Sequence, residues 1–346
     1  MVLTTWMCKA QEVSMSDSAL IAMEKADRAF SLIDKDRSNV PQAIVLMKEA
    51  SALCPDNFNY AFQVGFLIFQ SGNYAEAVQA LESIMHHKAV TPELYQLLGN
   101  TYFLMNDRLK AMNVFDQGLS KFPNSGLLYA EKGKNLQDTD VGKALFYFEK
   151  GIELNPNYDM NYFYSALIYL KQAESIKGIL HGEIFMLLNR SSNYAIEMSE
   201  QLYNAYKKSI RLDDNGTVST FFCNTNIPDR SVEMLNSKAM PPLCVAYASM
   251  IKQANIGLGA LTISNISTLR ARILDLYFSD KVNEYYQEWS FDFQRYIRGA
   301  GHLEAYNHWL LMAGNELEFL QWKENNEEKW IAFTKWFAQH ELSIPE

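Results

Sequence analysis

Several things are scarce in this chain, and each scarcity removes a class of function. No apolar run reaches the roughly 18 residues that a membrane-crossing helix needs, so no internal membrane span is expected. Basic residues are outnumbered, 31 Lys and Arg against 40 Asp and Glu, which leaves a net charge of -9. A nucleic-acid surface normally carries a basic stripe, so no nucleic-acid partner is expected. Only 4 cysteines are present among 346 residues, and none forms a C-x-x-C pair. That spacing argues against a zinc site and against a disulfide framework. A single Cys223–Cys244 bridge stays open, with small buried apolar side chains as the favoured alternative. Walker loops, dinucleotide fingerprints and nucleophile elbows are also missing.

What is present is a period. Gly65, Gly99 and Gly133 recur at steps of 34 residues, as do Ala43, Ala77 and Ala111, with Ala144 coming after 33. Four positions after each alanine stands a large apolar residue: Met47, Leu81, Phe115 and Phe148. Pro55, Pro123 and Pro156 close three of the units. Apolar residues at i, i+3, i+4 and i+7 within each half-unit indicate helices. The spacing describes a helical pair. Glycine on the first helix lets the second approach, the large residue fills the gap, and proline ends the second helix. Such a pair cannot bury its apolar face alone and has to stack on its neighbours.

The pattern resembles the tetratricopeptide repeat. The best unit carries Tyr95, Leu98, Gly99, Tyr102, Ala111, Phe115 and Pro123, with Gly118 replacing the usual late alanine. The unit from Phe58 lacks a closing proline, and the unit from Gly126 keeps Tyr129, Gly133, Ala144, Phe148, Gly151 and Pro156. An N-terminal pair over about 17–55 has a degenerate first helix. A fifth unit begins at Asp159, and its second helix is displaced to about 197–212. A helix carrying Ile176, Leu180, Ile184 and Leu188 on one face is inserted between. The expected fold is therefore all-α: an α-α superhelix, a right-handed solenoid, over 17–212 (clearest at 40–170, insertion about 172–196). A linker or ordered loop at 213–231 and a helical C-terminal domain over 232–346 complete it. In that last region Asn315-x-x-Glu318 and Asn325-x-x-Glu328 have the form of capping boxes, and Trp330, Phe333 and Phe337 form a stripe.

Residues 1–16 read as a signal-peptide remnant or a disordered N-terminus. Val2 to Met7 is a short apolar run, and Cys8-Lys9-Ala10 resembles a cleavage site. A periplasmic or secreted bacterial protein is the expectation, with a cytoplasmic location as the alternative.

The resemblance implies a concave groove, lined by first helices, that takes a protein or peptide partner. Counted from the matched glycines, the groove-facing residues are Phe62, Phe66, Phe69, Gln96, Asn100, Phe103, Glu131, Lys134, Phe163 and Tyr164. Phe62, Phe66 and Phe69 stand at i, i+4 and i+7, one aromatic stripe. Family members that clamp a chaperone's C-terminal carboxylate need basic residues there. This chain has Phe62, Phe66, Gln96, Asn100, Leu127 and Glu131 instead, so it is not such a clamp. The expected function is a protein-interaction scaffold with no cofactor, no metal and no catalytic residue. Two alternatives are a structural subunit of an envelope assembly, its groove filled by its own chain, and an enzyme with a site near Glu304 and His308. Against that enzyme, His302 and His308 are six apart and point to different sides of a helix. "DKDRSN" (34–39) imitates a calcium loop but lacks its sixth-position glycine and final glutamate, so a turn is expected.

Overall fold

The structure is a computed structural model that describes residues 17–172, 175–213, 218–223, 242–255, 257–340 and 344. The expected signal remnant at 1–16 lies outside them. The described residues hold seventeen α-helices, three single-turn 3-10 helices and one two-stranded hairpin, and the chain divides into two compact units at Pro123/Asn124.

The first unit holds three helical pairs. These are α1 (Asp17–Lys35) with α2 (Val40–Leu53), α3 (Phe58–Gln70) with α4 (Tyr74–Glu82), and α5 (Pro92–Leu104) with α6 (Arg108–Lys121). The packing obeys the spacing. A Cβ on Gly65 would meet Leu81 Cδ2 at 2.5 Å, and one on Gly99 would overlap the Phe115 ring. Ala43, Met47, Ala77, Leu81, Ala111 and Phe115 are fully buried. Between α1 and α2, the calcium-loop mimic is a turn, with the Asp36 carboxylate accepting from the Ser38 amide at 2.8 Å. Hydrogen bonds from Ser38 lower the Asp36 pKa. α6 begins at a side-chain cap in which Asp107 accepts from the Lys110 amide at 3.1 Å.

The second unit opens with the pair α7 (Gly126–Leu136) and α8 (Val141–Leu154), and α9 (Asp159–Lys171) comes next. A Cβ on Gly133 would overlap the Phe148 ring, as the repeat requires. The insertion is α10 (Ser175–Leu188), and the displaced second helix is α11 (Asn193–Ser209). A single apolar face is expected on α10, yet ten of its residues are buried, Glu183 and Phe185 among them. It is a central helix, packed against α9 and α11, and not a decoration.

After α11 comes the hairpin β1 (Ile210–Leu212) and β2 (Val218–Thr220), antiparallel with Ile210 opposite Thr220. Six more helices complete the unit: α12 (Leu243–Ala254), α13 (Ile263–Ser279), α14 (Trp289–Gly299), α15 (Leu303–Leu311), α16 (Glu316–Asn325) and α17 (Glu327–Gln339). Asn315 does cap α16: its side chain accepts from the Glu318 amide, and the Glu318 carboxylate answers by accepting from the Asn315 side-chain amide at 3.1 Å. The Asn325 box does not, because Asn325 is the last residue of α16 and Asn326 heads α17. Phe333 and Phe337 are buried in the unit's core, with Trp330 packed against it.

Cys223 and Cys244 are bonded, with their Cα atoms 5.5 Å apart. This reverses the favoured reading of both as free apolar residues. The hairpin places Cys223 beside the first turn of α12, a proximity that a linear spacing of 21 residues does not reveal.

Candidate functional site

In α3 the sequence splits the helix between two faces. Val64, Gly65, Leu67 and Ile68 are buried against the neighbouring helices, while Phe62, Phe66 and Phe69 are only half-buried. α5 repeats the division: Leu94, Tyr95, Leu98, Gly99 and Tyr102 are buried, and Glu93, Gln96 and Asn100 are turned outward. A groove of about 420 Å³ lies over the two helices, lined by Phe62, Gln63, Phe66, Phe69, Glu93, Gln96, Leu97 and Asn100. Five of the ten expected residues therefore come together. The rings are held in place: Phe62 stacks on Phe58 with centroids 5.8 Å apart, and Phe69 packs at 5.6 Å from Tyr74. Phe103 is not among the lining residues, and its ring lies 5.0 Å from the Arg108 guanidinium.

The remaining expected residues, in the second unit, are engaged by their own chain. Phe163 is 2% exposed and meets Phe185 of α10 at 4.9 Å and Tyr194 of α11 at 5.0 Å. It belongs to the core, because the inserted helix and the displaced one close over α9. Glu131 is 3% exposed and ion-paired with Lys134 at 3.0 Å. Tyr164 stacks on Phe148 at 5.5 Å, with the Lys134 ammonium 5.8 Å from its ring. Burial, then Tyr194, Glu131 and Glu197, push the Tyr164 phenol up to about 12. These side chains form a packed acid–phenol cluster and not an open surface.

The Glu304 and His308 region shows the geometry of packing. The His308 ring stacks on Trp322 at 3.9 Å, its Nδ1 pairs with the Glu304 backbone oxygen at 2.8 Å, and its Nε2 pairs with Ser264 Oγ at 3.2 Å. Burial lowers the His308 pKa. The Glu304 carboxylate accepts from Trp322 Nε1 at 3.0 Å and from Lys329 Nζ at 2.7 Å. Its burial would raise its pKa, but Lys329 and Trp322 outweigh this and lower it. His302 lies on the other side of that helix's start, 5.2 Å from Trp336. The Glu304 carboxylate and both His308 ring nitrogens are thus engaged by the protein itself. Among the described residues no group of three or more His, Cys, Asp or Glu side chains is placed to hold a metal ion.

The densest polar chemistry lies where the sequence gives little warning of it. Glu183 of α10 is 0% exposed and Arg270 of α13 is 3% exposed, and they pair at 2.6 Å. Arg270 also donates to Asn307 Oδ1 at 2.7 Å and to the Tyr206 hydroxyl at 2.8 Å. Glu183 accepts from Tyr306 at 2.7 Å and from Gln294 at 3.0 Å. Burial opposes the Arg270 charge, but Glu183 and the surrounding tyrosines outweigh it and keep the guanidinium protonated. The Tyr306 phenol is likewise pushed well above its ordinary value, by burial and then Glu183, and so stays neutral. Nearby, Ser165 Oγ and His181 Nδ1 are 2.8 Å apart, and burial lowers the His181 pKa. The sequence signal for the network is an arginine flanked by Leu269 and Ile273, apolar residues of a buried helix face.

The family model described as "Tetratricopeptide repeat" matches residues 92–123, the unit built by α5 and α6. No curated relative matches the sequence. Among solved structures, MamA (residues 41 to the end) from Desulfovibrio magneticus RS-1 is 16% identical, with 52% of this chain and 99% of that chain covered, at a TM-score of 0.39. YrrB, a TPR protein with an unusual peptide-binding site, is 15% identical, with 51% and 90% covered, at 0.34. Human IFIT1, solved as a dimer with PPP-AAAA, is 11% identical, with 92% and 72% covered, at 0.37.

Proposed function

We propose that this chain, which carries a tetratricopeptide repeat at residues 92–123, is an interaction scaffold that binds a partner's extended segment in the α3–α5 groove. The observation that carries this reading is the half-buried stripe of Phe62, Phe66 and Phe69 over a 420 Å³ groove that no described side chain fills. Clustered aromatic anchors with polar groups at their margin are the usual composition of binding hot spots. Gln63, Gln96 and Asn100 supply amide donors and acceptors that suit a peptide backbone.

The second unit has a different role in this reading. Its α9 is closed over by α10 and α11, and in this reading that part of the unit is a packed core and not a second binding surface. The Cys223–Cys244 bond supports an extracytoplasmic location, since structural disulfides persist in oxidising compartments.

Affinity capture from a native extract tests the scaffold reading, using the intact chain and its Phe66→Glu variant. Partners recovered by the first and lost by the second support the groove. Equal recovery of every partner removes it.

A further inference from the structure

We propose that the α3–α5 groove selects an extended peptide in which a lysine or arginine side chain stands beside apolar ones, with Glu93 as its acidic contact. This deepens the scaffold reading and rests on it. The charge of the lining is one-sided: Glu93 is ionisable, and no lysine, arginine or histidine lines the groove. Glu93 stands in the first turn of α5, at the same end of the helix as Gln96 and Leu97 of the lining. It is exposed and has no ion-pair partner among the described residues.

The phenyl rings of Phe62, Phe66 and Phe69 line the same groove, and aromatic rings attract a cation, so one ligand side chain can meet both attractions. An arginine suits the site especially, because its guanidinium stacks on aromatic faces and donates in a fork to a carboxylate. Apolar neighbours of that cation would cover the rest of the Phe62–Phe69 stripe. An acidic segment would bring like charge against Glu93 with no counter-ion in the lining, which is discrimination by repulsion. The chain's overall charge of -9 adds attraction for basic segments at longer range.

The test uses a displayed library of random dodecapeptides panned on the intact chain, with the Phe66→Ala variant as counter-selection. The most enriched peptide is then synthesised in three forms, with its basic residue kept, changed to Gln, or changed to Glu. Affinities are measured by calorimetry on the wild-type chain and on Glu93→Gln. The expected result is enrichment of a basic residue next to apolar ones. The Gln form should bind roughly 5- to 20-fold more weakly on the wild type, and Glu93→Gln should close most of that gap. Enriched peptides without a basic residue, or a basic-to-Gln loss of equal size on both proteins, would discard the cation selection and leave the groove standing. No enrichment over Phe66→Ala would discard both.

Discussion

The first helix of the second repeat, α3, and the first helix of the fifth, α9, share an aromatic residue at one repeat position, Phe62 and Phe163, but put their aromatic rings to opposite uses. On α3, Phe62, Phe66 and Phe69 remain half-buried over a groove. On α9, Phe163 is sealed against Phe185 and Tyr194, and Tyr164 is stacked on Phe148. At the shared position the difference does not lie in the residue, which is phenylalanine in both helices. It lies in the next stretch of chain. α3 leads through a short turn into its own second helix, whereas α9 leads into an insertion whose buried face has to go somewhere. A repeat pattern thus determines which side of a helix an aromatic occupies, and the neighbouring insertion determines whether that side is a surface or a core.

The contrast can be broken most forcefully at the polar tie of the closed region. Glu183→Ala leaves the Arg270 charge buried without its partner and should cost about 3–5 kcal/mol. Denaturant unfolding monitored by circular dichroism measures this, and a loss below about 1 kcal/mol would mean the network is not what pins the insertion. Phe163→Ala should cost a similar amount, about 3–5 kcal/mol, as for a buried aromatic. Phe66→Ala, at a half-buried site, should cost under about 1 kcal/mol while abolishing peptide capture. Equal losses at the two phenylalanines would erase the distinction.

Next in size is the disulfide. A Cys223→Ser, Cys244→Ser double variant removes a cross-link across 21 residues and should lose about 2–4 kcal/mol. Reduction of the wild type should produce the same shift in unfolding midpoint.

The smallest effect is that of pH, and it acts on the closed region. His181 and His308 both have pKa values lowered from 6.5 by burial. A folded-state value below the unfolded one favours the neutral form. Their contribution is therefore present above about pH 6.5 and is lost as the pH falls through the folded values. Glu304, also lowered, loses its contribution further down, as the pH falls below its unfolded value of 4.5 and through its folded one. The unfolding midpoint should drop between about pH 7 and pH 5, and His308→Gln should flatten that dependence.

Much of the architecture was legible because it is set by spacing. Glycine at 65, 99 and 133 answered by Leu81, Phe115 and Phe148 sixteen or fifteen residues later is a packing rule written in the chain. The α3–α5 half of the groove was legible for the same reason. The fate of Phe163 and Glu131 was not, since it depends on where α10 and α11 fold back. The buried pair of Glu183 and Arg270 joins residues 87 apart, and the Cys223–Cys244 bond depends on a hairpin. Long-range proximities of this kind leave no periodic trace.

The most direct test of the contrast is solvent access to individual phenylalanines. Fluorophenylalanine can be incorporated throughout, its fluorine resonances assigned by single substitution, and a soluble paramagnetic gadolinium chelate titrated in. The resonances of Phe62, Phe66 and Phe69 should broaden strongly while that of Phe163 stays sharp. Protection of Phe66 equal to that of Phe163 would show the groove to be closed by the protein itself, and the account of α3 as a binding surface would be wrong.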